Sequence, residues 1–205
     1  ATVGTKTMLD FTQNDGAGLY GYLPMTTNLT FYMVMRYTSN IPTNGVFAQH
    51  GNVDTDWSII KKPTGSNYLL FKSNNDTTNA GLQFTTNTSY ILVCRVNGNT
   101  REFWAYSESG SSQYTSTTGV SIAASLSKYL SIGKSQANIL CSGYVGEILY
   151  YNTNLSAMDL SNNLTYLQKK WFNASNSTQI VRFIGSGSVN ITATQDICGN
   201  YTSGS

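Results

Sequence analysis

Tyr20, Tyr22, Tyr106 and Tyr114 each lie within two residues of Gly or Ser, in stretches that read as loops. A phenol ring offers a flat apolar face that can stack on a sugar ring, and a hydroxyl that bonds at the rim. Loop Asn and Asp side chains would add directional hydrogen bonds. A second constellation is Asn52-Val-Asp-Thr-Asp56, with Asn52, Asp54 and Asp56 at alternate positions. Such spaced oxygens suit a hard cation like calcium, which wants several oxygen ligands. No neighbouring Glu supplies a bidentate ligand, and a polar turn is the competing reading. The cofactor expectation is therefore none, or calcium.

Other chemistries are excluded by residue type. His50 is the only histidine, which rules out a multi-His zinc site. Cys94, Cys141 and Cys198 are too widely spaced for a thiolate zinc site. Neither a Gly-x-Ser-x-Gly elbow nor a phosphate loop is present. Cys94 and Cys141 fall in apolar strand patterns, so they read as buried thiols. One disulfide among the three, with Cys198 as one candidate partner, is the alternative, and it would require an oxidising compartment. Glu147 shares a strand face with Val145, Leu149 and Tyr151, so it should be partly buried and need a partner. Arg36 and Arg95 are the strand cations within reach, and a structural ion pair is the favoured reading.

These side chains need elements to hold them. Leu29 to Tyr37 is apolar on both faces, as in a sheet covered on each side. Gly45 to His50, Trp57 to Lys61 and Tyr68 to Lys72 read as strands separated by polar turns, and Met8 to Phe11 and Leu82 to Phe84 as shorter ones. Tyr90 to Val96 and Arg101 to Tyr106 flank Asn97-Gly-Asn-Thr100 and form the strongest hairpin signal. The Ser-rich stretch 107–118 reads as a loop. Lys128 to Gly133 and Cys141 to Tyr151 follow as strands. Ser156, with Asp159 three residues on, opens a helix to about Lys170, with Leu160, Leu164 and Leu167 on one face.

Composition sets the broader bounds. The 205 residues suit one domain plus a tail, with a formal net charge of +2 and 11% charged residues. No nucleic-acid partner is implied, and no apolar run long enough for membrane insertion occurs. Ala1 follows neither an initiator Met nor a signal-like segment, and reads as a processed or chosen end of something longer. Asn-x-Ser/Thr sequons recur from Asn28 to Asn200, and a secreting eukaryotic host would glycosylate some of them.

The strand ending in Tyr151-Asn152, the Leu155-Ser-Ala-Met-Asp159 helix start and the closing Tyr166-Leu-Gln-Lys-Lys-Trp171 resemble the last strand and helix of laminin-G-like domains. Tyr129-Leu-Ser-Ile-Gly133 is similar to that group's penultimate strand. The group belongs to the concanavalin A-like lectin/glucanase superfamily. The resemblance implies an all-β, two-sheet jelly-roll sandwich with one short C-terminal helix over residues 1–171. Residues 172–205 are then a linker, an appendage or the start of a neighbouring module. The scaffold does not imply one activity. Its glycan-cleaving members need paired carboxylates across a groove, and the strand around Glu147 carries only one.

The expected function is a non-catalytic binding or adhesion module that recognises carbohydrate, outside the cell or on a cell or virion surface. Its partners would be a cell-surface or matrix glycan, or a neighbouring structural protein. The alternative is a structural decoration domain of a capsid, fibre or adhesin without a small ligand; an enzyme is disfavoured.

Overall fold

A segment as apolar as Leu29-Thr-Phe-Tyr-Met-Val-Met-Arg-Tyr37 must be covered on both faces, and it is. The computed structural model describes residues 2–3, 6–11, 19–22, 27–38, 46–51, 57–61, 68–73, 81–119, 129–133 and 143–172. The first strands are β1 (Thr2–Val3), β2 (Lys6–Thr7), β3 (Leu9–Asp10), β4 (Leu19–Tyr22), β5 (Leu29–Tyr37), β6 (Val46–His50) and β7 (Trp57–Lys61). They continue with β8 (Tyr68–Ser73), β9 (Leu82–Gln83), β10 (Ser89–Asn97), β11 (Thr100–Ser107), β12 (Ser112–Thr118), β13 (Tyr129–Ile132) and β14 (Gly143–Tyr151). One helix, α1 (Ala157–Trp171), follows. The 172–205 appendage expected from the sequence falls, apart from Phe172, outside the described residues.

Two six-stranded antiparallel sheets form a jelly-roll sandwich. One runs β12-β11-β10-β5-β14-β3 and the other β4-β13-β6-β7-β8-β9, while β1 and β2 pair separately. Period-2 alternation sorts β5 between two cores. Phe31, Met33 and Met35 point between the sheets, where they meet Phe47, Trp57 and Phe103. Tyr32 and Val34 point the other way and join Ile91 and Val93 beneath Leu167 and Trp171 of the helix. The sheet is thus covered on one face by its partner sheet and on part of the other by α1.

The expected hairpin is β10–β11, paired without interruption from Tyr90↔Ser107 to Asn97↔Thr100. Gly98 takes the left-handed conformation in its turn, at φ 56°, which glycine adopts at little cost. Its N–H donates to Asn28 Oδ1 at 2.8 Å, tying the turn to the start of β5.

Two stretches read as loops are strands. The Ser-rich 107–118 contains β12, which pairs along β11 from Tyr106↔Ser112 to Thr100↔Thr118. Its Thr residues are β-formers, and small hydroxylated side chains hid the alternation because neither face is strongly apolar. Tyr20 and Tyr22 lie in β4, paired with β13.

The helix begins as its sequence requires. Ser156 Oγ accepts the Asp159 N–H at 3.2 Å and donates to the Asp159 carboxylate at 2.7 Å. Asp159 in the first turn and Lys169 and Lys170 in the last complement the helix dipole. The connection before it is pinned to β5, because Thr30 Oγ1 donates to Thr153 O at 2.9 Å and accepts the Leu155 N–H at 3.1 Å. Tyr32 donates its hydroxyl to Leu160 O at 3.2 Å. Burial raises the Tyr32 phenol, with the Asn163 side chain opposing through a hydrogen bond, so the ring stays a neutral donor. Tyr32→Phe should cost about 0.5–1.5 kcal/mol, readable as a lower urea midpoint at unchanged slope.

One irregularity redirects β14. Val145 pairs with Met35 and Ile148 with Met33, so one extra residue sits on β14 between them. A bulge of this kind reverses which face later residues occupy. Val145, Ile148 and Tyr150 face the inter-sheet core, while Tyr144, Leu149 and Tyr151 face the helix. Uniform alternation had put Val145, Leu149 and Tyr151 on one face with Glu147; the bulge moves Val145 to the other. Ile148 is half-buried rather than fully buried, so its truncation falls short of the full-burial cost of about 2–5 kcal/mol.

Candidate functional site

The face of the first sheet that α1 only partly covers brings together the residues with ligand chemistry. Alternation along β11 points Glu102, Trp104 and Tyr106 the same way, opposite to buried Arg101, Phe103 and Ala105. Strand pairing then builds rows across the sheet. Tyr32, Val93, Trp104 and Tyr114 lie side by side on β5, β10, β11 and β12, and Thr30, Arg95, Glu102 and Ser116 form the next row.

A groove of about 290 Å³ runs between this face and the first turns of the helix, near the low end for small-ligand sites. Val93, Arg95, Trp104 and Tyr106 line it from the sheet, and Ala157, Leu160, Ser161 and Leu164 from the helix. Trp104 of the lining and Tyr114 of the next strand lean together, with ring centroids 5.0 Å apart and planes 32° off parallel. Tyr114 is 54% exposed.

The polar groups form one connected set. Arg95 Nε donates to Glu102 Oε2 at 2.6 Å, and Nη1 donates to Leu155 O at 3.1 Å. The same guanidinium lies 5.5 Å from the Trp104 ring centroid, a cation–π arrangement. Tyr114 donates its hydroxyl to Glu102 Oε1 at 3.3 Å. Burial raises the Tyr106 phenol, which keeps it a neutral donor. Flat apolar rings bordered by a fixed carboxylate and guanidinium can hold a ligand that is itself apolar on one face and hydroxylated at the edge.

Of the four tyrosines singled out by sequence, Tyr106 and Tyr114 come together here, on strands rather than loops. Tyr20 and Tyr22 belong to the other sheet, and their side chains are outside the described residues. Asn52, Asp54 and Asp56, the calcium candidates, also lie outside the described residues. Among the described residues no group of three or more His, Cys, Asp and Glu could hold a metal ion. Sequence reasoning missed Trp104, Arg95 and Glu102 as members of this set. The signal was present: Glu102-x-Trp104-x-Tyr106 is a period-2 pattern of amphipathic residues facing one way.

The remaining candidates have structural roles. His50 is buried and stacks on Trp57, with centroids 6.3 Å apart. Cys94 is a buried free thiol; burial pushes it well up and nearby Arg101 opposes. Cys141 and Cys198 lie outside the described residues. Glu147 pairs with neither Arg36 nor Arg95, because the bulge turns it toward the end of α1. Its Oε2 accepts Trp171 Nε1–H at 2.7 Å, and its Oε1 accepts the Tyr166 hydroxyl at 2.9 Å. Lys170 Nζ stands 3.0 Å from Oε2 and donates to the Tyr166 oxygen at 2.8 Å. A Cβ at Gly146 would lie 2.6 Å from the Trp171 ring, so the missing side chain lets the indole close over the bulge. All three glutamates are engaged, since Glu108 accepts the Ser89 N–H at 3.2 Å.

No protein-family model and no curated protein sequence matches the chain. Solved structures do match in shape. Tailspike protein 2 of an Escherichia coli O157:H7 bacteriophage superposes with a TM-score of 0.54 at 14% identity, over 76% of this chain and 23% of the tailspike. The binding domain of botulinum neurotoxin serotype D gives 0.54 at 11% identity, over 78% of this chain and 42% of that one. A pentraxin of Limulus polyphemus gives 0.50 at 16% identity, over 75% and 78%. The chain spans about a quarter of the tailspike and under half of the toxin domain's chain. Identities this low establish architecture alone: the chain is a β-sandwich of the kind found in these three proteins.

Proposed function

We propose that this sandwich is a non-catalytic carbohydrate-binding module, with its site at the groove lined by Arg95, Trp104 and Tyr106 together with Tyr114 and Glu102 on the same sheet face. The observation that carries the reading is the exposed Tyr114 ring, braced by Trp104 and hydrogen-bonded to a carboxylate that Arg95 also holds. Rigid aromatic rings lose little conformational freedom when a sugar stacks on them, and the exposed hydrogen bond from Tyr114 to Glu102 can be exchanged for one to a sugar hydroxyl.

The ligand class is a glycan on a cell, a matrix or another exposed surface, and the setting is extracellular or virion-associated. A phage tailspike and a toxin binding domain with the same architecture support that setting. No helix among the described residues is long and apolar enough to cross a membrane.

A single site of this size should bind weakly, with Kd in the millimolar to micromolar range, or about −4 to −8 kcal/mol. The test is a glycan array probed with the chain displayed as an artificial multimer, so that avidity raises the signal. Binding is expected, and Tyr114→Ala and Trp104→Ala should each abolish it while leaving the melting point within a few degrees. Silence of the multimer across a broad array would overturn the reading in favour of a structural decoration domain.

A further inference from the structure

We infer that β12 is a self-pairing edge, along which two copies of this chain join antiparallel into one continuous sheet. β12 ends the first sheet, and among the described residues no strand pairs with its outer side. Proteins commonly block such edges with a charge, a proline, a bulge or a very short strand. Ser112-Gln-Tyr-Thr-Ser-Thr-Thr118 has none of these: seven residues, uncharged, free of proline and glycine, in unbroken register with β11. The other sheet treats its edge at the same end differently. There β9 is only two residues long, and Gln113 closes it: the Gln113 Nε2 donates to Gln83 O at 2.6 Å, and its Oε1 accepts the Gln83 N–H at 2.9 Å. A side-chain amide thus occupies the strand-pairing groups of Gln83, while the backbone of β12 itself stays regular.

The occupant is a second copy because the strand is compatible with its own reverse. A twofold axis at Thr115 sets Thr115 against the partner's Thr115, Tyr114 against the partner's Ser116, and Ser112 against the partner's Thr118. No like charges meet at any position. Thr–Thr and aromatic–Ser neighbours are favourable or neutral cross-strand pairs. Burial alternates along β12, with Ser112, Tyr114, Ser116 and Thr118 exposed and Gln113, Thr115 and Thr117 half-buried. A self-paired strand keeps that division, so each copy's outer face stays on the same side of the joined sheet. The pairing does not depend on any sugar, so its test is separate from that of the glycan reading.

The experiment is sedimentation velocity of the full chain over a concentration series reaching the millimolar range. A monomer–dimer equilibrium is expected for the unaltered chain. Thr115→Lys and Thr115→Glu place like charges across the axis, and each should weaken self-association at least tenfold. An equimolar mixture of the two should recover a dimer, because the charges then complement. The inference is overturned if the unaltered chain stays monomeric throughout, a result that stands whether or not the variants fold. It is equally overturned if both folded variants dimerise as tightly as the parent.

Discussion

Trp57→Ala is expected to lower the stability of the folded chain by about 3–5 kcal/mol. Trp57 is fully buried between the sheets, and its ring stands 5.1 Å from Phe31 and 5.9 Å from Phe71 by centroid. Three sandwich strands meet at this one indole: β5 through Phe31, β8 through Phe71, and β6 through the His50 ring stacked on it. An alanine leaves a void bordered by these rings, into which the surroundings relax only in part. A domain of ordinary stability holds only about 5–15 kcal/mol in reserve, so the variant should sit close to its unfolding midpoint on mild warming. Urea denaturation of the two proteins measures the difference. A loss below about 1 kcal/mol would mean that the inter-sheet core repacks freely around the site.

The second large effect lies at the end of the helix. Glu147→Leu removes the acceptor of Trp171 Nε1 and Tyr166 and the counter-charge of Lys170, and should cost about 1.5–3 kcal/mol. The wild-type cluster also sets a pH dependence. Burial would raise the Glu147 carboxyl, but hydrogen bonds from Trp171, Lys170 and Tyr166, with the Lys170 charge, outweigh it and hold it below its usual value. A carboxyl lowered in the folded state contributes stability that is present above its unfolded pKa and is lost as pH falls through the folded one. Lys170 works in the opposite sense. Burial lowers it, yet bonds to Tyr166 and Glu147 leave it raised, so its contribution is present below its unfolded pKa and is lost as pH rises through the folded value. Melting points measured across pH should therefore fall on both sides for the parent. Glu147→Gln keeps the shape and should flatten its acid limb. An unchanged acid limb in that variant would remove Glu147 from the account.

What was legible in the sequence follows from what periodicity encodes. The doubly apolar Leu29–Tyr37, the Asn97-Gly98 hairpin and the Ser156 cap declared themselves because local chemistry and tertiary environment agree there. β12 did not, since Ser and Thr on both faces leave no contrast to read. The bulge in β14 was invisible for another reason: Gly146 and Glu147 occupy ordinary strand positions until Trp171 arrives from the helix, and only that contact explains the extra residue. The candidate site was half legible. Tyrosines beside small polar residues pointed to Tyr106 and Tyr114, and alternation could have added Glu102 and Trp104. Which face the helix would leave open depended on where α1 docks, and no spacing within β11 carries that information.

The position of β5 at the centre of its sheet has a consequence for how the chain is made. One neighbour, β10, begins at Ser89, and the other, β14, at Gly143. During synthesis at about 5–20 residues per second, Leu29–Tyr37 leaves the ribosome many seconds before its second partner exists. The helix that covers its Tyr32 and Val34 face emerges later still. A nascent chain stalled before Gly143 therefore carries a nine-residue apolar strand with one flank unpaired, the kind of segment that aggregates or engages a chaperone. Translation pauses between residues 97 and 143 are where yield in a heterologous host should be most sensitive, because the molecule there is long enough to begin its sheet and too short to close it.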